Sequence, residues 1–296
     1  MELYNMELKN ELKEAILKNR GKLSENTLRT YTSSLNSLYT KLHGENGIKF
    51  FSDKDNVEKI LKCIKELKSP QTRKTVLSAL FILTKNEKYR ENMMEDIKLV
   101  NDKYKSQKLI GTREETTISF DEVKKLHNEI ERQAKLNPSH ENLTNLLISY
   151  LCTGVLENLP PRRLELAKLK YRNYDEKKDN YVDFKRKLFV YNDYKTAKTY
   201  AQQTVEIPPV VMKIIKKLIK MNKTDYVLET EKGEPFSQPL ISARISKLFD
   251  GNGISSLRSI FLSNFYKDLP KLQEMNQLAE GMGNSVNSAL NYYVKK

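Results

Sequence analysis

The sequence predicts a mainly α-helical protein of two domains, with a small antiparallel β-sheet confined to the second (an α+β arrangement). Three observations carry that expectation. Apolar residues recur at three- and four-residue spacing through most of the chain. A polar, aperiodic stretch at residues 105–117, KSQKLIGTREETT, separates two such regions. Only residues 180–207 change character, to short runs rich in β-branched and aromatic residues.

The first region, 1–104, reads as a helical bundle. Its opening, MELYNMELKNELKEAILKNR, mixes acids and bases at helical spacing and has no apolar h-region, so it is not a secretory signal. Ser24 is a natural N-cap for a helix whose Leu28, Tyr31, Leu35, Leu38 and Leu42 share a face. A second helix covers about 54–67, with Val57, Ile60, Leu61, Ile64 and Leu67 on one side. Ser69 and Pro70 open a third, with proline in its first turn, and a fourth pattern covers roughly 87–104.

After the linker at 105–117, the second domain is expected to span 118–296. Ser119 and Glu122 form a capping box ahead of Val123, Leu126 and Ile130. Leu143–Gly154 is almost entirely apolar and therefore expected at the centre. The segments YVDF, KLFVYNDY and QQTVEIP predict the antiparallel sheet, closing in a β-hairpin through the turn-like KTAKTYA. Helices resume at Val210–Met221, Leu240–Phe249, Ser256–Lys267 and Leu272–Glu280, with a short last one near 286–293.

Composition narrows the function classes. At 296 residues, with 39% apolar and 30% charged residues, the chain can bury a real core. It holds no run of roughly 20 apolar residues, so no membrane partner is expected. Lysine and arginine number 52 against 38 acids, a net charge of +14. Such a surplus favours a polyanion, because basic groups that neutralise phosphates release counterions. A lysine-rich proteome would give the same surplus, and abundant Asn, Lys and Tyr with no Trp fit that alternative. Cys63 and Cys152 sit in apolar helical contexts without CxxC spacing and are expected as reduced core thiols. No metal site is expected: HExxH and clustered His/Cys are missing from the sequence, as is a phosphate-cradling GxxxxGK[ST] loop.

Four segments, in order, resemble the boxes of the tyrosine recombinase (phage integrase) family. PPRRLELAKLKYRNYD resembles the box of the first catalytic arginine, which places that role on Arg162 with Glu165 in support and Arg163 as the one-residue alternate. YKTAKTYAQQTVEIP resembles the family's β-hairpin with its tip lysine, matching Lys195, with Lys198 as alternate. SSLRSIFLSNFY resembles the second arginine box; Arg258 is the arginine, and Ser255 stands where the family usually has histidine. GMGNSVNSALNYY resembles the terminal box, where Asn284 replaces a histidine and Tyr293 matches the tyrosine, with Tyr292 beside it. LSENTLRTYTSSLNSLY and SPQTRKTVLSAL are similar to the family's helical core-binding domain, so the resemblance spans nearly the whole chain. The chain's histidines, His43, His127 and His140, all precede the boxes; His127 is expected to flank a helix core and His140 to lie in a Pro-Ser loop.

The resemblance implies a helical core-binding domain and a catalytic domain closing around duplex DNA as a C-shaped clamp. It implies a site-specific recombinase or integrase that cuts and rejoins DNA through a 3′-phosphotyrosine, with no cofactor, metal or ATP. Two planar guanidinium groups suit the charge that develops on the phosphate oxygens, and a phenol nucleophile conserves bond energy over two transesterifications. Lys195 would protonate the departing oxygen, while Asn284 and Ser255 retain only hydrogen-bonding capacity. Double-stranded DNA is the implied partner, with self-association as a dimer or tetramer in a synaptic complex. Only Val294, Lys295 and Lys296 follow Tyr293, so protomers are expected to meet through the helical domain and the Tyr-bearing segment, unless the chain is a trimmed form. The expected setting is intracellular, wherever the target DNA lies, in a divergent viral or mobile-element member. Two other functions remain open: type IB topoisomerase-like relaxation, and a catalytically silent DNA-binding or transcription factor on the same fold.

Overall fold

The computed structural model describes residues 2–105, 118–156, 158–162, 164–267, 272–281 and 286. Nearly all of the predicted linker and of the closing helix near 286–293 lies outside them. The chain divides into two compact units, one of residues 1–108 with 271–296 and one of residues 109–270.

In the first unit the helices are α1 (Glu2–Arg20), α2 (Glu25–Lys41), α3 (Lys54–Lys65), α4 (Pro70–Thr84) and α5 (Glu87–Lys105). Each start has a local cause. The Ser24 hydroxyl accepts from the Thr27 amide at 3.2 Å, the Asp53 carboxylate from Asp55 at 2.9 Å, and Ser69 from Thr72 at 3.3 Å. Thr84 ends α4 because Lys85 turns into the left-handed region at φ 56°. Leu28, Leu35 and Leu38 from α2 pack with Ile60 and Ile64 from α3 and Leu77 and Leu80 from α4, around the ring cluster of Tyr39, Phe50 and Phe51. A half-buried fork locks α4 to α5. Arg73 donates from Nε to both oxygens of buried Asp96, at 2.9 and 3.1 Å, and from Nη1 to the Leu67 carbonyl at 2.8 Å.

The second unit is built around α7 (His140–Thr153), preceded by α6 (Phe120–Leu136). The capping box of α6 forms as read. The Ser119 amide donates to Glu122 at 2.7 Å, and the Glu122 amide donates back to the Ser119 hydroxyl at 3.2 Å. Every residue of α7 from Leu146 to Thr153 is buried, as its apolar sequence implies. The sheet follows, of β1 (Leu169–Lys170), β2 (Asn180–Asp183), β3 (Leu188–Tyr191) and β4 (Gln203–Glu206), in that spatial order. The three predicted strands are β2, β3 and β4, and they pair antiparallel. The sheet as a whole is mixed, because β1 adds to β2 in parallel, Leu169 against Asn180. Two residues are too few to show alternation. What fixes β1 is its other edge, where the Val227 amide donates to the Leu169 carbonyl at 2.8 Å.

The turn between β3 and β4 is longer than a tight hairpin and contains the helical turn α8 (Ala197–Tyr200). Helices α9 (Pro209–Leu218), α10 (Gln238–Leu248) and α11 (Ile254–Phe265) complete the unit. A further helix, α12 (Leu272–Gly281), lies on the 271–296 stretch. No helix among the described residues is long and apolar enough to cross a membrane. Cys63 and Cys152 are free and buried, and burial pushes the Cys152 thiol up, far from a reactive thiolate.

Gly154 is the pivot of this unit. It ends α7 in the left-handed region at φ +74°, and an added Cβ would fall 2.3 Å from the Phe261 ring of α11. Both facts demand glycine. Gly154→Ala is therefore expected to lower stability by about 2–4 kcal/mol, from strain plus overpacking. Denaturant unfolding measures this; a loss below roughly 0.5 kcal/mol, the scale of an ordinary surface change, would show that α7 and α11 do not meet this closely.

Candidate active site

Beyond Gly154 the chain leaves α7, and Arg162 lies in the extended stretch that returns beside it. The Arg162 amide donates to the Leu151 carbonyl at 2.8 Å, which ties this residue to the last turn of the buried helix. A 3₁₀ turn at Leu164–Lys168 follows and carries Glu165. The segment that carries this box is thus an extended stretch followed by a tight turn, with the Arg162 amide engaged by α7.

The Arg162 side chain is enclosed, with 15% of it exposed. Its Cζ lies 4.0 Å from the ring centre of Tyr191 on β3 and 5.8 Å from that of Tyr194. Nη1 donates to Gln203 Oε1 on β4 at 3.3 Å, and Nη2 is 3.1 Å from Glu165 Oε1. Nη2 and Glu165 thus form an enclosed ion pair, while Nε is buried without a hydrogen-bond partner. The fork is therefore held on its aromatic face, through Nη1 and by the Glu165 carboxylate. A planar guanidinium can hold two oxygens of a phosphate or carboxylate at once.

Four positions that shape this seat were not picked out from the sequence: Asn180, Tyr191, Tyr194 and Gln203. Asn180 is fully buried at the start of β2. Its Nδ2 donates to the Asp193 carbonyl at 2.8 Å and the Glu165 carbonyl at 3.4 Å, and its Oδ1 accepts from the amides of Asn192 and Asp193, both at 2.8 Å. One amide side chain thus joins the Glu165 turn to the exit of β3. A polar residue heading an apolar strand, NYVDF, was the available signal. Tyr191 is fully buried beneath the guanidinium, and its hydroxyl has no hydrogen-bond partner. Burial pushes its phenol well above the ordinary value, with Arg162 pulling the other way.

Lys195 is exposed on the connection after β3, one residue from the Tyr194 ring that faces Arg162. Lys198 lies in α8, on the same connection. Arg258 is half-buried on α11, one turn after exposed Ser255 and one turn before Phe261, the ring that covers Gly154. The two arginine-bearing segments therefore flank the same end of α7. Arg163, Asn284, Tyr292 and Tyr293 lie outside the described residues.

Two of the three histidines are structural. His127 is buried; its Nδ1 is 2.7 Å from the Ser149 hydroxyl, and its ring packs edge-on against Tyr150 at 4.4 Å. Burial lowers its imidazole below the ordinary value. The predicted loop position of His140 is corrected: it is the first residue of α7, because Ser139 caps the helix by accepting from the Asn142 amide at 3.2 Å. Its Nε2 lies 3.0 Å from Asn222 Oδ1.

The two buried groups give opposite expectations. Asn180→Ala orphans two amides and is expected to cost roughly 2–4 kcal/mol. Tyr191→Phe removes a hydroxyl with no partner and keeps the ring under Arg162, so stability should stay within about 0.5 kcal/mol or rise. Thermal or denaturant unfolding decides both; a large loss for Tyr191→Phe would mean that its hydroxyl is engaged.

No model of a known protein family matches the chain, and no curated protein matches it. Solved structures do. A crystal structure of XerA recombinase is similar over 98% of this chain and 94% of its own, at 14% identity and TM-score 0.36. Lambda integrase (residues 75–356) bound to DNA matches over 90% and 87%, at 15% identity and TM-score 0.49. A lambda integrase (75–356) dimer bound to a COC′ core site matches over 98% of both chains, at 12% identity and TM-score 0.51. The last likeness covers nearly all of both chains: this chain shares the fold of that lambda integrase structure.

Proposed function

We propose that this chain is a DNA strand transferase of the tyrosine-recombinase kind, acting on duplex DNA. The observation that carries the reading is the Arg162 seat: an enclosed guanidinium held by Tyr191, Gln203 and Glu165, at the position where the sequence resemblance puts the first catalytic arginine. A scissile phosphate is a partner that such a fork fits, since two nonbridging oxygens match it. Arg258 would supply the second guanidinium. Glu165 is a positioning residue, which fixes the plane of Arg162 from the anionic side while Tyr191 fixes it from the aromatic side.

In this reading the Tyr293 phenol oxygen attacks the phosphorus, and the P–O5′ bond breaks. The DNA 3′ end is left esterified to the enzyme. The leaving 5′ oxygen takes a proton from Lys195, whose exposed place on the β3–β4 connection lets it approach DNA. The freed 5′ hydroxyl of another strand then reverses the step, so bond energy is conserved and no nucleotide cofactor is required. Ser255 and Asn284 offer hydrogen bonds in place of histidines, and His127 and His140 are engaged elsewhere. Neither box supplies a histidine base for the tyrosine proton, and slow turnover follows in this reading. Self-association on DNA and an intracellular setting belong to the same proposal.

Covalent trapping tests it. Protein incubated with supercoiled plasmid and with nicked suicide duplexes of pooled sequence, without added metal, should yield an SDS-resistant protein–DNA adduct that Tyr293→Phe abolishes. Loss with Tyr292→Phe instead would move the nucleophile by one residue. Tight duplex binding without any adduct would favour the catalytically silent reading, which the two missing histidines already support.

A further inference from the structure

We infer that Tyr200, on the β3–β4 connection, is a base-stacking group that engages a base exposed when duplex DNA is distorted at the bound site. The inference rests on the DNA reading above and concerns a residue which that reading leaves without a task.

Three aromatic residues lie on or beside this connection, and they are used differently. Tyr191 is buried under the Arg162 guanidinium, and Tyr194 is turned inward, its hydroxyl donating to the Ala201 carbonyl at 2.6 Å. Tyr200 is 63% exposed. A single exposed aromatic is ordinary on a protein surface. The backbone beside it is not. Ala201 sits at φ 52°, ψ −152°, a region that essentially only glycine occupies without strain. A side chain there persists only when its surroundings over-determine it. Here the Tyr194 hydroxyl grips its carbonyl, its amide donates to the Ala197 carbonyl at 2.9 Å, and Gln202 Nε2 donates to Asn192 Oδ1 at 2.9 Å.

This strained alanine ends α8 directly after Tyr200, so the same contacts that hold Ala201 fix the direction in which Tyr200 leaves the backbone. The chain thus presents an exposed aromatic ring on the connection that also carries exposed Lys195. An aromatic face beside a cation is the pairing that binds unstacked bases: the ring stacks on any base, and the ammonium meets the neighbouring phosphate. A fully paired duplex hides those faces, so the ring is useful only where a base step opens.

The test compares binding of the full chain to short duplexes of one sequence, either fully paired or carrying one mispaired step. Wild type should prefer the mispaired duplex by roughly 5- to 100-fold, the range of one base–aromatic stack. Tyr200→Ala should lose that preference while holding the paired duplex as before, and Tyr200→Phe should keep it, since the ring and not the hydroxyl stacks. Because the chain contains no Trp, Tyr200→Trp adds a single reporter whose emission should be quenched only by the mispaired duplex. Binding with no mispair preference, or an equal preference in Tyr200→Ala, overturns the inference and leaves the DNA reading standing. No binding to either duplex overturns both.

Discussion

The second unit is organised around one residue's two attachments. The Arg162 amide is fixed to the end of α7 through Leu151, and its guanidinium lies flat on Tyr191 of β3. Between them these contacts couple the buried helix to the sheet at a point where the chain is otherwise irregular. Glu165 and Gln203 approach from the remaining sides, one from the turn that follows and one from the edge strand. Enclosure removes water from the guanidinium, and the Glu165 carboxylate beside Nη2 offsets part of that cost.

The surrounding structure keeps that group in place. Asn180 saturates its own hydrogen-bonding capacity by joining the Glu165 turn to the β3 exit, so the seat and the Lys195-bearing connection share one anchor. On the other side, Gly154 allows Phe261 to lie against the end of α7, which brings the helix carrying Arg258 to the same end. Small, specific features thus position the two arginine segments: a left-handed glycine, a buried amide and an aromatic face.

The helices were legible because their causes are local. Ser24, Ser69 and Ser119 sit one residue before the helices they cap, and the apolar stripes of α3 and α6 repeat at the helical period. The arginine and lysine candidates rest on a resemblance alone, because nothing in PPRRLEL by itself distinguishes a phosphate clamp from a basic turn. What stayed hidden depends on distant partners. β1 is two residues long and is defined by Asn180 and Val227. Tyr191 reads as one more aromatic in a strand until Arg162 is found above it. His140 read as a loop residue after Pro138, since only the Ser139 cap shows that the helix begins there.

The central claim is that the Arg162 fork, and not merely its charge, holds the scissile phosphate. Its most direct measurement is single-turnover cleavage by Arg162→Lys on DNA recovered from covalent trapping, with folding of the variant confirmed by unfolding curves. Lysine keeps the positive charge but lacks the planar pair of donors. Loss of such preorganised stabilisation predicts cleavage slowed by about 10²–10³-fold with DNA affinity largely retained. Cleavage within about twofold of wild type would contradict the account, since the planar fork of Arg162 would then have no part in the reaction.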